Sequence, residues 1–218
     1  MINLINFEFQ STFIMNENPL DSLNEIKSMM QRTTKFTSIS GWSGIWVGVI
    51  GLISAAIAYF IIMESKMRLF SLQPDNKRDL MLVGLGLVTL LFACLGGFYF
   101  MIKKSAKDEV KFINPTTKRI LKRFLFVLIV GGFLCLALYK HLSFVYIAPA
   151  TLLFYGMALL NVERDTVIEI KYLAYTEIVL GLLAFLFIAN GLAFWCIGFG
   201  LVHIIFGIWM VRKYDYKA

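Results

Sequence analysis

Two titratable residues, Glu177 and His203, lie inside long apolar stretches of the chain. A carboxylate and an imidazole at close range can share a proton, and such groups are costly within a membrane and often functional there. Counted from the middle of the Asn190-Gly191 pair between them, Glu177 lies 13.5 residues back and His203 12.5 residues on. Antiparallel helices joined at this pair would hold both side chains at nearly the same depth, roughly 20 Å from the turn at 1.5 Å per residue.

Two interpretations of this candidate intramembrane polar pair follow. If the side chains of Glu177 and His203 face each other, they form a proton-responsive pair suited to a transporter or a pH sensor. Otherwise Glu177 reaches the headgroup region while His203 hydrogen-bonds a backbone carbonyl. The sequence favours the second arrangement, because equal depth does not establish that the two side chains face each other.

The elements that position these residues are six apolar segments, each close to the roughly 20 residues that a helix needs to cross the bilayer core. With 59% apolar residues, the chain is expected to be a polytopic membrane protein and not a soluble globular domain. We predict an all-α fold with a single membrane domain over 41–213. Its six transmembrane helices cover about 41–63, 80–102, 120–139, 142–160, 171–189 and 192–211, and Pro149 is expected to kink the fourth.

Positive charge is distributed unequally between the two sides of this arrangement. Of the 21 Lys and Arg residues, 16 fall on the side of the two termini and five on the other. The positive-inside rule therefore predicts a multi-pass protein of the bacterial inner membrane with a cytoplasmic N-terminus and C-terminus. The formal charge of +7 is explained by residues flanking the spans, so the expected partner is the lipid bilayer and no nucleic acid is predicted.

The residues before the first span divide into two parts. Asn18, Pro19 and Asp21 form a helix start, with a cap, a first-turn proline and a first-turn acid. They predict a short cytoplasmic amphipathic helix over 18–40, which either rests on the headgroups or docks a cytoplasmic protein partner. Residues 1–17 do not continue this pattern, and we expect a disordered tail there or a true start at Met15.

Small residues form a helix-packing stripe along the first span. At spacings of three and four they share one helix face, so another helix can approach closely. That helix belongs either to the same chain or to a second copy, which leaves a homo-oligomer open. The stripe consists of Gly41, Gly44, Gly48, Gly51 and Ala55, continued by Ala58.

Motifs for catalysis, cofactor binding or metal binding are not found in the sequence. Cys94, Cys135 and Cys196 lie in three different spans without metal-ligand spacing, and they are interpreted as small apolar packing residues. The leading prediction is therefore a non-enzymatic regulatory or interaction protein that needs no cofactor. The alternative is a small transporter or proton-responsive carrier that uses Glu177 and His203.

Two stretches of the chain carry a resemblance to other proteins. They are NPLDSLNEIKSMMQRTTKFTSISGWSGIWVGVIGLI, from residue 18, and FGLVHIIFGIWMVRKYD, which ends at residue 215. Together they resemble a group of uncharacterised six-span integral membrane proteins of Bacteroidota, over most of the chain from about residue 18 onward. Genes of that group often stand beside one for a small winged-helix transcriptional regulator. The resemblance implies a regulatory or envelope-stress setting and no catalytic residue.

Overall fold

The computed structural model describes residues 39–67, 76–109, 112–141 and 144–215, and these residues form helices with short connections and no β-strand. The all-helical fold class is therefore confirmed. The predicted tail 1–17 and most of the predicted helix 18–40 lie outside the described residues. The helices are α1 (Gly41–Met67), α2 (Asn76–Lys107), α3 (Pro115–Lys140), α4 (Ile147–Val162), α5 (Glu169–Leu186) and α6 (191–215).

Five helical segments are long and apolar enough to cross a membrane. They make the chain a multi-pass integral membrane protein. The helix α5 is not among them, because three charged residues, Glu169, Lys171 and Glu177, fall within its 18 residues. The sixth predicted crossing therefore stays a prediction. The five segments are Gly41–Glu64, Lys77–Lys107, Pro115–Lys140, Phe144–Asp165 and Ile188–Asp215.

Local sequence explains where two of these helices begin. At the start of α3, the side chain of Asn114 accepts a hydrogen bond from the Thr117 amide at 2.8 Å, and Pro115 follows the cap. A short 3₁₀ turn, Phe144–Tyr146, leads into α4, which begins at Ile147. Pro149 therefore lies in the first turn of α4, where its missing amide has no helical partner to lose. The proline marks a helix start and does not kink the middle of a span.

The helices α4 and α5 pack antiparallel with their backbones in close contact. A Cβ atom added to Gly156 of α4 would lie 2.8 Å from the carbonyl oxygen of Ala174 in α5. One added to Gly181 of α5 would lie 2.8 Å from the amide nitrogen of Leu153 in α4. Because neither position has room for a side chain, glycine sets the distance between these two helices.

The helix-packing stripe of α1 lies against α6 of the same chain. A Cβ atom on Gly48 would approach the carbonyl oxygen of Gly200 to 2.7 Å, and one on Gly51 the carbonyl oxygen of Phe199 to 2.5 Å. Gly44 is similarly close to the backbone of Gly207, and Ala55 is buried. The two helices therefore meet along a glycine seam, defined as Gly41, Gly44, Gly48 and Gly51 of α1 with Gly200 and Gly207 of α6.

Charged side chains join several helices at one end of the bundle. Lys104 of α2 donates a 2.6 Å hydrogen bond to Asp215, whose other carboxylate oxygen accepts from the Gly41 amide at 3.1 Å. Glu169, at the start of α5, accepts hydrogen bonds from Lys213 and from the hydroxyl of Tyr214. Burial raises the pKa of the Glu169 carboxyl, but these hydrogen bonds lower it by more than burial raises it. The pKa of Glu169 therefore lies below its ordinary value.

Candidate functional site

Glu177 of α5 and His203 of α6 face each other inside the bundle. The carboxylate oxygen Oε1 of Glu177 lies 3.3 Å from Nδ1 of His203, and the two side chains are 0% and 3% exposed. The antiparallel course of α5 and α6 produces this approach, since Glu169 contacts Lys213 at one end and Phe187 contacts Phe194 at the other. The residues that the sequence placed at one depth are thus direct neighbours.

The imidazole of His203 makes two further polar contacts. Nδ1 lies 2.9 Å from the carbonyl oxygen of Gly198, and Nε2 lies 2.9 Å from the hydroxyl of Tyr155 in α4. Because a carbonyl oxygen can only accept, the contact with Gly198 assigns a hydrogen to Nδ1. In the neutral ring Nε2 then accepts from Tyr155, whereas in the imidazolium Nε2 donates to it. His203 therefore contacts both a backbone carbonyl, as in the second sequence interpretation, and the Glu177 carboxylate, as in the first.

The carboxyl group of Glu177 is buried without a hydrogen-bond partner. Among the residues that the structure describes, neither Oε1 nor Oε2 has a partner within hydrogen-bonding geometry, and both atoms are inaccessible to solvent. An ionised carboxylate in such a place is costly unless a positive charge lies beside it. The site therefore favours two states with no net charge: ionised Glu177 with an imidazolium, or a neutral carboxyl with a neutral imidazole.

The backbone of α6 departs from an α-helix next to this pair. The segment Cys196–Val202 is a π-helix, and His203 begins the α-helical turns that follow. The absence of a side chain at Gly198 makes room for the pair, because a Cβ there would lie 2.6 Å from Oε2 of Glu177 and 2.6 Å from Leu152. Wide π turns of this kind recur at functional sites, since they redirect side chains and free backbone groups.

Aromatic rings surround the imidazole. The ring of Phe199 stacks on His203 with 5.8 Å between centroids, and Tyr155 lies 5.4 Å away. Trp195 in turn contacts Phe199, with 5.1 Å between their centroids. These apolar faces lower the local dielectric and strengthen the electrostatic coupling of the pair. Trp195 is also a natural fluorescence reporter near the site.

Tyr155 and Gly198 contact the pair, Leu152 lies beside Gly198, and none of the three was predicted from the sequence. Tyr155 lies in the predicted fourth span, and its polar hydroxyl among apolar neighbours was a usable signal. Gly198 carried a weaker signal, as a glycine two residues before Gly200. Leu152 carried none, because a leucine within a span is ordinary.

Among the described residues, no hydrogen bond or ion pair joins the three cysteines to Glu177 or His203. Cys94 is exposed, and Cys135 and Cys196 are partly buried. In the part of the chain that the structure describes, no three His, Cys, Asp or Glu side chains group as a metal site would require. Glu177 and His203 are the titratable pair predicted from the sequence, and within the described residues the structure brings these two side chains into contact.

The chain matches no protein-family model, no curated protein and no solved structure. The resemblance to six-span proteins of Bacteroidota and the regulatory setting that it implies therefore stay predictions. Function has to be inferred from the chemistry of the site itself.

Proposed function

We propose that this chain is a non-enzymatic, proton-responsive regulatory protein of the bacterial inner membrane. The observation that carries the proposal is the buried carboxylate of Glu177, which has His203 at 3.3 Å and no hydrogen-bond partner among the described residues. Together the two groups hold one proton in either neutral state. Losing that proton leaves a lone buried carboxylate, and gaining another leaves a lone imidazolium, so both changes disfavour the packed arrangement.

The proton response would act on the packing of three helices. Glu177 belongs to α5, His203 to α6 and Tyr155 to α4, so one change of charge alters contacts among all of them. We infer that this rearrangement is passed to a cytoplasmic protein partner, as the regulatory prediction from the sequence requires. The predicted amphipathic helix 18–40 is the candidate contact on the protein's side.

Stability across pH tests the pair. Purified protein in nanodiscs is unfolded at several values between pH 5 and 8 and followed by tryptophan fluorescence. The packed arrangement requires one proton on the pair, so we expect the free energy of unfolding of the wild type to fall as the pH is raised toward 8. In Glu177→Gln no lone carboxylate remains, and this fall should disappear.

Two comparisons control that experiment. His141→Gln removes the other histidine of the chain, which is exposed at the C-terminal end of α3. This variant should keep the wild-type response. Glu177→Gln, His203→Gln and the double variant form a double-mutant cycle, in which we expect a coupling of at least about 1 kcal/mol. Additive effects of the two substitutions would refute the pair.

A second candidate function, a small proton-coupled carrier, is favoured by the contact with Tyr155. The hydroxyl of this half-buried side chain extends the polar contacts from Glu177 through His203 to α4. Such a chain of groups can pass a proton. Proteoliposomes loaded with a pH-sensitive dye separate the two functions: a carrier acidifies the interior under a proton gradient and is slowed by Tyr155→Phe, whereas a regulatory protein moves no protons.

Both functions require a definite topology, which we propose has six crossings and two cytoplasmic termini. The crossing by α5 is supported by its packing, because Tyr146 stacks on Phe185 near one end while Glu169 contacts Lys213 at the other. Eighteen residues span about 27 Å, close to the hydrocarbon thickness. Single cysteines at Arg164 and Asn190, two exposed positions that flank α5, should label from opposite sides of right-side-out vesicles. Labelling of both from one side would contradict this topology.

A further inference from the structure

Four basic side chains line an open groove on the outside of α3 and α4. They are Lys118, Arg119, Lys122 and Arg123. The groove has a volume of about 770 Å³, and below the basic residues it is lined by Leu125, Phe126 and Ile129, with Asn161 contributed by α4. A strongly charged mouth therefore continues directly into an apolar floor.

The order of these residues along α3 matches the order of groups in a phospholipid. Lys118 and Lys122 are one turn apart on the same face, and Ile129 lies about 10 Å further along the helix axis, toward the middle of the span. Phe126 is 67% exposed, and Ile129 is 55% exposed. In a bilayer the lysines would thus lie at headgroup level while the apolar side chains meet the acyl chains.

Ion pairs and a hydrogen bond hold the basic side chains at the mouth of the groove in place. Asp165 binds Arg119 at 3.0 Å and Arg123 at 2.8 Å, which holds both guanidinium groups in fixed positions. The side chain of Asn161 donates to the carbonyl oxygen of Arg123 at 3.3 Å and ties α4 to α3. Four cations against this single carboxylate leave the groove with a net charge of +3.

We propose that this groove binds one anionic phospholipid of the surrounding bilayer. Lys118 and Lys122 would contact the headgroup phosphate, the two oriented arginines would add hydrogen bonds, and an acyl chain would lie along Phe126 and Ile129. Basic pockets between transmembrane helices recognise anionic headgroups in this way. The proposal is independent of the Glu177–His203 pair, because it uses different residues near the charged end of the bundle.

Retention of lipid by the purified protein tests this site. The protein is reconstituted with equal amounts of phosphatidylglycerol and phosphatidylcholine, and native mass spectrometry then counts the lipids that stay bound. The wild type should retain phosphatidylglycerol selectively. The double variant Lys118→Ala/Lys122→Ala should lose about 30-fold in affinity, as the removal of two lysine contacts with an anionic lipid predicts.

A variant with the same loss of charge controls for general attraction. Lys103→Ala/Lys107→Ala removes two exposed lysines from the C-terminal end of α2, outside the groove. This variant should retain phosphatidylglycerol within about twofold of the wild type. The conservative double variant Lys118→Arg/Lys122→Arg should bind as the wild type does. Equal losses in the two alanine variants, or equal retention of both lipids by the wild type, would overturn the proposal.

Soluble competitors separate a lipid from other anionic ligands. Glycerol phosphate carries the headgroup chemistry without acyl chains, so at millimolar concentration it should leave the bound lipid in place. Its displacement of the lipid would show that the apolar floor contributes nothing and would overturn the lipid assignment. Displacement by polyglutamate would overturn it also, in favour of a docking surface for an acidic protein segment.

Discussion

Replacing Gly207 by alanine introduces one methyl group into the glycine seam, where the backbones of α1 and α6 are in close contact. The new Cβ atom would lie 2.5 Å from the amide nitrogen of Ile45 and 2.7 Å from the carbonyl oxygen of Gly41. Favourable contacts of a carbon atom lie at about 3.5 Å or more, so α1 and α6 have to move apart by about 1 Å. Both obstructing atoms belong to the backbone, and no side-chain rotation can relieve the clash.

The size of the effect follows from that displacement. A radial gap of about 0.5–1 Å forfeits a quarter to a half of the dispersion energy of each affected contact, and overpacking typically costs about 1–3 kcal/mol. Alanine also has a higher helix propensity than glycine, by about 1 kcal/mol. Gly132→Ala in α3 carries the same propensity gain, and a Cβ there would meet no atom within 4 Å. We therefore expect Gly207→Ala to be less stable than Gly132→Ala by about 1–3 kcal/mol.

Reversible unfolding in mixed detergent micelles, followed by tryptophan fluorescence, measures this difference. Comparison with Gly132→Ala cancels the gain in helix propensity and leaves the clash at the seam. Equal stability of the two variants would refute the backbone contact between α1 and α6. If the loss in Gly207→Ala instead grew on dilution of the protein, the stripe would belong to a seam between two copies.

Three further perturbations have definite outcomes. Gly198→Ala would bring a Cβ within 2.6 Å of Oε2 of Glu177, so it should flatten the dependence of stability on pH between 5 and 8, and an unchanged profile would contradict that contact. Lys213→Met removes a group that lowers the pKa of Glu169. A carboxyl group whose pKa is lower in the folded protein stabilises the fold at any pH above its unfolded-state pKa, which is about 4.3 for Glu, and this stabilisation is lost as the pH falls through the folded-state pKa. Melting temperatures should therefore show that the wild type loses more stability below about pH 4 than the variant does. Trp46→Phe removes a 3.0 Å hydrogen bond to a carbonyl of α2 and should cost about 0.5–1.5 kcal/mol in chemical unfolding.

The depth of Glu177 and His203 was predictable from the sequence, but their orientation was not. Depth depends only on the rise per residue and on the position of the turn, which Asn190-Gly191 indicates approximately. Orientation depends on the rotation of each helix about its axis. The π-helical segment Cys196–Val202 changes that rotation ahead of His203, and a period of 3.6 residues does not represent it.

Helix ends differ from the prediction for two physical reasons. The helix α1 continues to Met67, and α2 runs from Asn76 to Lys107, both beyond the predicted limits of 63, 80 and 102. Hydropathy defines only the part of a helix within the hydrocarbon, whereas hydrogen bonding continues the helix into polar surroundings. The helix α5 ends at Leu186, followed by the 3₁₀ turn Ile188–Asn190, because the chain already leaves the helical conformation at Phe187.

The glycine seam and the titratable pair use opposite sides of the same helix. His203 directs its side chain toward Glu177, while its carbonyl oxygen would lie 3.3 Å from a Cβ on Gly44 in α1. A seam formed by glycines has few side chains that interlock, so it resists a small shift of one helix along the other less than knobs-into-holes packing would. If the proposed loss of a proton moves α6, this seam is the surface along which it moves. Gly207→Ala should therefore change the pH profile of the wild type as well as its stability, whereas Gly132→Ala should raise stability through helix propensity alone and leave the pH profile unchanged.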